Sequence, residues 1–104
     1  MGPLLPLIGN TQAELAELCE RFGVERLELF GSATGTNFQP ETSDLDFIVR
    51  MRDARQPGVA RRFCGFAEAL EELFGRRVDL LTEAMIRNPM FRAEVESSRR
   101  LLIG

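Results

Sequence analysis

The chain has no histidine, lysine, tryptophan or tyrosine, and its 13 basic residues are all arginines. Without histidine there is no Ser-His-Asp or Cys-His pair and no imidazole metal ligand. Without lysine there is no Walker-type phosphate lysine and no Schiff base. Carboxylates must therefore carry any catalysis. Cysteine is scarce too: Cys19 and Cys64 are the only two. Both fall in apolar helical patterns, where a free thiol behaves as a small buried hydrophobe, and nothing in their placement calls for an oxidising compartment. No apolar run approaches the length that spans a bilayer. The opening Met1 to Gly9 is apolar but has no basic n-region and carries two prolines, unlike a secretory signal. A cytoplasmic protein is expected, with no membrane association.

What is present is ordinary for a globular domain. The chain has 104 residues, a hydrophobic fraction of 44% and a charged fraction of 28%, so residues 1–104 are expected to form one domain around one core. A formal charge of −3 disfavours a general nucleic-acid surface, which usually shows as a basic patch on a basic domain.

Thr11 and Glu14 have the spacing of a capping box. Leu15, Leu18, Cys19 and Phe22 follow at helical spacing until Gly23, which predicts a first helix. Arg26 to Phe30 alternates polar and apolar residues, the pattern of a half-buried strand, and ends at Gly31-Ser32. Thr34 to Ser43 reads as a loop, with room for one helical turn after Ser32. Asp44 to Met51 reads as a second strand, apolar on both faces and therefore central. After a polar turn at Arg52 to Gly58, Val59, Phe63, Phe66, Leu70, Leu73 and Phe74 repeat at helical steps up to Gly75. Arg77 to Thr82 reads as a third strand. A strand-helix-strand connection of this length predicts a parallel crossover that makes strands two and three neighbours. Asn88-Pro89 suits an N-cap and first helical position for a short helix to about Ser97, after which Leu101 to Ile103 closes against the core. The phenylalanine-bearing helix faces serve core or interface, core packing being the default. A homo-oligomer is left open.

The chemistry gathers at strand ends. Residues two apart on a strand point to one side about 6 to 7 Å apart, so Asp44 and Asp46 share a face. A neighbouring strand lies about 4.8 Å away, which lets Asp79 join them if Val78 to Leu81 runs beside Asp44 to Asp46. Two carboxylates about 4 Å apart repel by roughly 4 kcal/mol at an effective dielectric near 20, so such a cluster favours a proton or a divalent ion. Magnesium, which takes hard oxygen ligands and is usually completed by substrate phosphates, suits it. Gly31 permits close backbone approach to a phosphate and Ser32 offers a hydroxyl and an N–H. Metal ions bridging acids and phosphates can stabilise in-line attack on an α-phosphorus with loss of pyrophosphate, Asp79 orienting or deprotonating the attacking hydroxyl. Taken singly, a Gly-Ser after a strand is usually a turn and an Asp-x-Asp a solvated cap. Their order at the ends of apolar strands is what points to a site.

From Leu27 to Ile103 the sequence resembles the minimal nucleotidyltransferases (MNT) of the DNA polymerase beta superfamily. The resemblance rests on Gly31-Ser32, Ser43-Asp44-Leu45-Asp46-Phe47, Phe38-Gln39-Pro40-Glu41, Arg76-Arg77-Val78-Asp79-Leu80 and Asn88-Pro89-Met90-Phe91-Arg92. It implies an α/β (α+β) nucleotidyltransferase fold with a small mixed sheet flanked by helices, and Mg-ATP as substrate. Gly31 and Ser32 would lie at the triphosphate, with Asp44, Asp46 and Asp79 as catalytic metal ligands. It also implies the antitoxin of a toxin-antitoxin pair, partnered by a small helical HEPN-type toxin onto which AMP is transferred. Many members follow the Gly-Ser with an arginine and a glycine, whereas Ala33-Thr34-Gly35-Thr36 carries no positive charge. Arg50, Arg52, Arg76 and Arg77 read as solvated charges. With no tyrosine of its own, the chain must find any tyrosine acceptor on another molecule. Two other classes of function compete: a binding module that covers a toxin and leaves the acids unused, and transfer to a small molecule or an RNA end, for which related enzymes usually carry extra domains.

Overall fold

The computed structural model describes residues 11–31 and 44–104. The expected loop at residues 34–43, the helical turn after Ser32 and the apolar opening segment lie outside the described residues. In chain order the elements are α1 (Gln12–Phe22), β1 (Val24–Phe30), β2 (Leu45–Met51), α2 (Val59–Phe74), β3 (Val78–Leu81), a 3-10 turn (Glu83–Met85), α3 (Pro89–Ser98) and β4 (Arg100–Ile103). The sheet has the order β3-β2-β1-β4. β1 is antiparallel to both β2 and β4, while β2 and β3 run parallel, so the sheet is mixed.

Alternation along the strands divides the side chains between two faces. On one face Leu27, Leu29, Leu45, Phe47, Val49, Val78 and Leu80 pack with Leu15 and Cys19 of α1 and Phe66, Leu70 and Phe74 of α2. Phe47 and Phe74 stack with centroids 6.0 Å apart, within the range of favourable aromatic pairs. On the other face Phe30, Ile48 and Leu81 meet Ile86 and, from α3, Phe91 and Val95. The central, doubly covered position expected for β2 is what the sheet shows. The parallel neighbours β2 and β3 follow from α2 crossing over between them.

Several expectations change. β1 is two residues longer than the alternating run, because Val24 pairs with Met51 across an irregularity before Arg26. It is also not half-buried: Glu28 and Phe30, on the face expected to be wet, are 5% and 6% exposed. A carboxylate can sit there because Arg99 donates to Glu28 from Nε at 2.9 Å and from a terminal nitrogen at 2.6 Å, with Arg26 Nε at 3.2 Å on the same acid. Leu101 to Ile103, expected to close against the core, does so as part of β4 along the edge of β1, where Leu102 and Ile103 pack on the core while Leu101 is exposed. Cys19 is buried, and burial pushes its thiol up to about 11, but Cys64 is on the exposed side of α2. The shared apolar pattern did not distinguish the two faces of α2. The Thr11 side-chain half of the capping box expected at the start of α1 does not form. Thr11 occupies the N-cap position and its carbonyl accepts from Leu15 N at 2.8 Å, but its backbone (φ −115°, ψ 10°) is outside the extended region that aims a side chain at the first helical amides, and no side-chain cap bond forms.

α3 begins as read from Asn88-Pro89: the Asn88 side-chain oxygen accepts from Met90 N at 2.8 Å and Phe91 N at 3.2 Å. Asn88→Ala should therefore lower unfolding stability by about 1 kcal/mol, measured by urea titration. A loss of less than about 0.3 kcal/mol would show that packing alone holds the start of the helix. The placement of α3 matters because it forms one wall of the cleft described next.

Candidate active site

The register of the sheet places Phe30 opposite Asp46 on one side and Asp79 opposite Asp46 on the other. Asp46 and Asp79 thus meet on adjacent parallel strands, as the sequence required if the two strands were in step. By strand parity they point to the α3 face, while their strand neighbours Leu45 and Phe47 on β2 and Val78 and Leu80 on β3 turn to the opposite core. Asp46 is half-buried and Asp79 exposed. Their carboxyl groups are close enough to share a hydrogen bond, and Asp44 is near enough to add repulsion.

Burial, first, then the shared bond and the charges of Asp79 and Asp44 raise the Asp46 carboxyl to about 6. The physical content is that one negative charge at this point is costly and a second more so. Among the described residues, no three His, Cys, Asp or Glu side chains are gathered closely enough to hold an ion by themselves. The donor set nonetheless suits a hard divalent cation completed by phosphate oxygens, because two crowded carboxylates supply oxygen ligands whose repulsion a cation relieves.

Gly31 lies just past the end of β1, against this pair. It follows Phe30 directly, has φ +81°, and a Cβ placed there would lie 2.7 Å from Asp46 Oδ2. A side chain there would be strained by the left-handed backbone and would force the Asp46 carboxylate to shift. Gly31 N–H donates to Ser98 Oγ at 3.0 Å, joining the end of β1 to the last turn of α3. Ser32, the other residue expected at a phosphate, lies outside the described residues.

These groups line a cleft of about 380 Å³ between the sheet and α3. Phe30, Gly31, Asp46 and Asp79 form the sheet side, and Phe91, Glu94 and Ser98 the helix side. The sequence reading did not single out Glu94 or Ser98. Their i, i+4 spacing puts them on one face of α3, but only knowing that this face turns to the carboxylates gives the spacing meaning. A larger hollow of about 500 Å³ lies at the other end of β2, lined by Val49, Met51, Val59, Phe63 and Met85 among others. It is mainly apolar and far along β2 from Asp46, so it has no part in phosphate chemistry. Of the arginines considered for the phosphate, Arg50 is exposed and lies 3.9 Å from Glu25, and Arg52 and Arg77 are also exposed, in keeping with solvated charges.

Comparison with known proteins agrees with this geometry. The family profile described as nucleotidyltransferase domain matches residues 15–102. The protein adenylyltransferase MntA of Thermococcus cleftensis is 36% identical over 76 residues, covering 73% of this chain and 73% of that protein. A solved structure described as a candidate minimal nucleotidyltransferase superposes with a TM-score of 0.70 at 29% identity, over 92% of this chain and 93% of the other. The fold is also that of the MNT antitoxin solved in complex with the tri-AMPylated Shewanella oneidensis HEPN toxin, with a TM-score of 0.61 at 17% identity over 93% of this chain and 72% of that one. Among the described residues no helix is long and apolar enough to cross a membrane. A family profile spanning most of the chain, with relatives alike over three-quarters of its length, makes this protein a nucleotidyltransferase, a member of the minimal nucleotidyltransferase family.

Proposed function

We propose that the chain transfers AMP from Mg-ATP to a hydroxyl of a partner protein, and that it is the antitoxin of a pair whose toxin is a small helical HEPN-type protein. The observation that carries the reading is the pair Asp46 and Asp79, level on adjoining parallel strands, with Gly31 just past the end of β1 against Asp46 and all three lining one cleft. Its support from relatives is the protein-adenylyltransferase name of the Thermococcus cleftensis protein and the AMPylated HEPN toxin held by a protein of the same fold.

The roles follow from position. Gly31 lets the β- and γ-phosphates approach the backbone beside Asp46, with Ser32 as the adjoining donor. Asp46 and Asp79, with Asp44 just before β2, would supply oxygen ligands to Mg²⁺ completed by phosphate oxygens, and the ion, when bound, would offset charge on the triphosphate and on the leaving pyrophosphate. Asp79, the exposed member, faces the incoming hydroxyl and takes its proton as the new oxygen-phosphorus bond forms and the bond to pyrophosphate breaks. Asp46, half-buried between Gly31 and Asp79, fixes the cluster. The cleft is open, and the chain has no tyrosine to modify on itself, which suits an acceptor on another molecule.

The test is incubation with Mg²⁺ and α-phosphate-labelled ATP in host extract, beside an Asp79→Asn control. Label on a separate protein that disappears in the control is the expected result. Co-purification with an unlabelled partner, together with equal protection from that partner by wild type and Asp79→Asn, would sink the transfer reading and leave a binding module.

A further inference from the structure

Ser98 stands in the last turn of α3, 67 residues from Gly31, yet it accepts the Gly31 amide proton at 3.0 Å. The bond has a definite direction. The Ser98 hydroxyl proton is engaged by the helix, to the Glu94 carbonyl at 3.1 Å, so the oxygen presents its lone pairs to the sheet. Gly31 meanwhile has a backbone that most residues cannot adopt and lies against Asp46 Oδ2. A hydroxyl on α3 thus holds the Gly31 amide beside the Asp46 carboxylate. Arg99, the next residue, ties the same helix end to Glu28 on β1, so the point from which Ser98 reaches Gly31 is itself anchored.

Resting on the nucleotidyltransferase reading above, we propose that Ser98 is a positioning residue for the nucleotide: it holds the Gly31 turn in the shape that receives the phosphates. The role separates from general packing because the interaction is one hydrogen bond of known polarity. Threonine keeps the oxygen at position 98, while valine keeps nearly the same shape without it. Loss of one ordinary hydrogen bond predicts an effect of about fivefold to tenfold on nucleotide binding. The effect should appear in KM and not in kcat, since the Ser98 hydroxyl bonds run to the Gly31 amide and to its own helix.

The experiment compares wild type, Ser98→Thr, Ser98→Val and Ser98→Ala in the full chain, by steady-state transfer from Mg-ATP and by hydrogen exchange at the Gly31 amide. Support is a KM for Mg-ATP raised about fivefold in Ser98→Val with kcat within about twofold, faster Gly31 exchange in the same variant, and recovery of both in Ser98→Thr. An unchanged KM, a KM lowered by removing the hydroxyl, a loss of kcat alone, or equal behaviour of Ser98→Thr and Ser98→Val overturns it. If wild type transfers nothing, the transferase reading fails separately. Mg-ATP protection of the Gly31 amide then decides the Ser98 role: protection seen in wild type and lost in Ser98→Val supports it, and any other pattern overturns it.

Discussion

Asp46→Asn should abolish most transfer activity and, at neutral pH without Mg²⁺, make the protein more stable. The activity loss follows from removing one of the two paired carboxylates, and the loss of a group aimed at transition-state charge commonly costs about 10²- to 10³-fold in rate. The stability gain follows from the raised Asp46 carboxyl, at about 6 in the folded chain against an ordinary value near 3.8. Because the folded value is the higher, ionised Asp46 opposes folding. The penalty is absent below about pH 4, grows between the two values and is complete above about pH 6. A shift of this size corresponds to roughly 1 to 3 kcal/mol, discounted because the carboxyl keeps contact with water. Asparagine cannot ionise, so the variant should be more stable than wild type by about that amount at pH 7 and by close to nothing at pH 4. Thermal unfolding at both pH values, with chelator, is the measurement. A variant less stable at pH 7, or one with the same gain at both pH values, would refute the electrostatic account. Added Mg²⁺ should stabilise wild type more than the variant.

Arg99→Ala should be among the most destabilising single changes outside the apolar core. Arg99 binds Glu28 through two nitrogens and also contacts Glu83 and Glu96, so one guanidinium joins β1, the 3-10 turn and α3. Removing it leaves Glu28 buried with only Arg26 beside it. Breaking a buried ion pair from one side costs about 3 to 5 kcal/mol, and the lower end applies because Arg26 still partly neutralises the acid. Hydrogen bonding to Arg99 holds the Glu28 and Glu83 carboxyls below their ordinary value. With the folded value depressed, their contribution is complete above the ordinary carboxylate value. It is lost as pH falls through the folded one, so the variant should show the smaller loss of stability on acidification. Replacing both partners, Arg99→Met with Glu28→Leu, should recover most of the loss, since no charge is then left buried. Urea titration of the three chains checks this, and a loss under about 1 kcal/mol in Arg99→Ala would mean that Glu28 reaches water.

Both predictions concern features that were unequally visible in the sequence. The identities of Asp44, Asp46 and Asp79 stood out because a chain without histidine or lysine has few other ways to do chemistry, and because apolar strands followed the acids closely. That Asp46 and Asp79 lie side by side was only conditional, since strand spacing permits a meeting but leaves the register open. Glu28 looked like the solvated member of an alternating strand. Its burial depends on an arginine 71 residues later, a relation no local pattern carries. Cys64 looked like Cys19 because helical spacing shows that a residue is apolar but not which edge of the stripe the sheet covers.

The sequence by itself determined the three helices, the first three strands to within a few residues and the chemical inventory, because helix and strand periods, the Asn88-Pro89 start and the glycine stops act over a few residues. It also restricted catalysis to carboxylates through what it lacks. Tertiary structure alone decided which of those groups meet. It put Asp46 level with Asp79, made a fourth strand of the C-terminal residues along the open edge of β1, and turned the Glu94 and Ser98 face of α3 toward the acids. Those outcomes depend on register and on the packing of segments distant in the chain, where the energy that selects an arrangement comes from surfaces that are not neighbours in sequence.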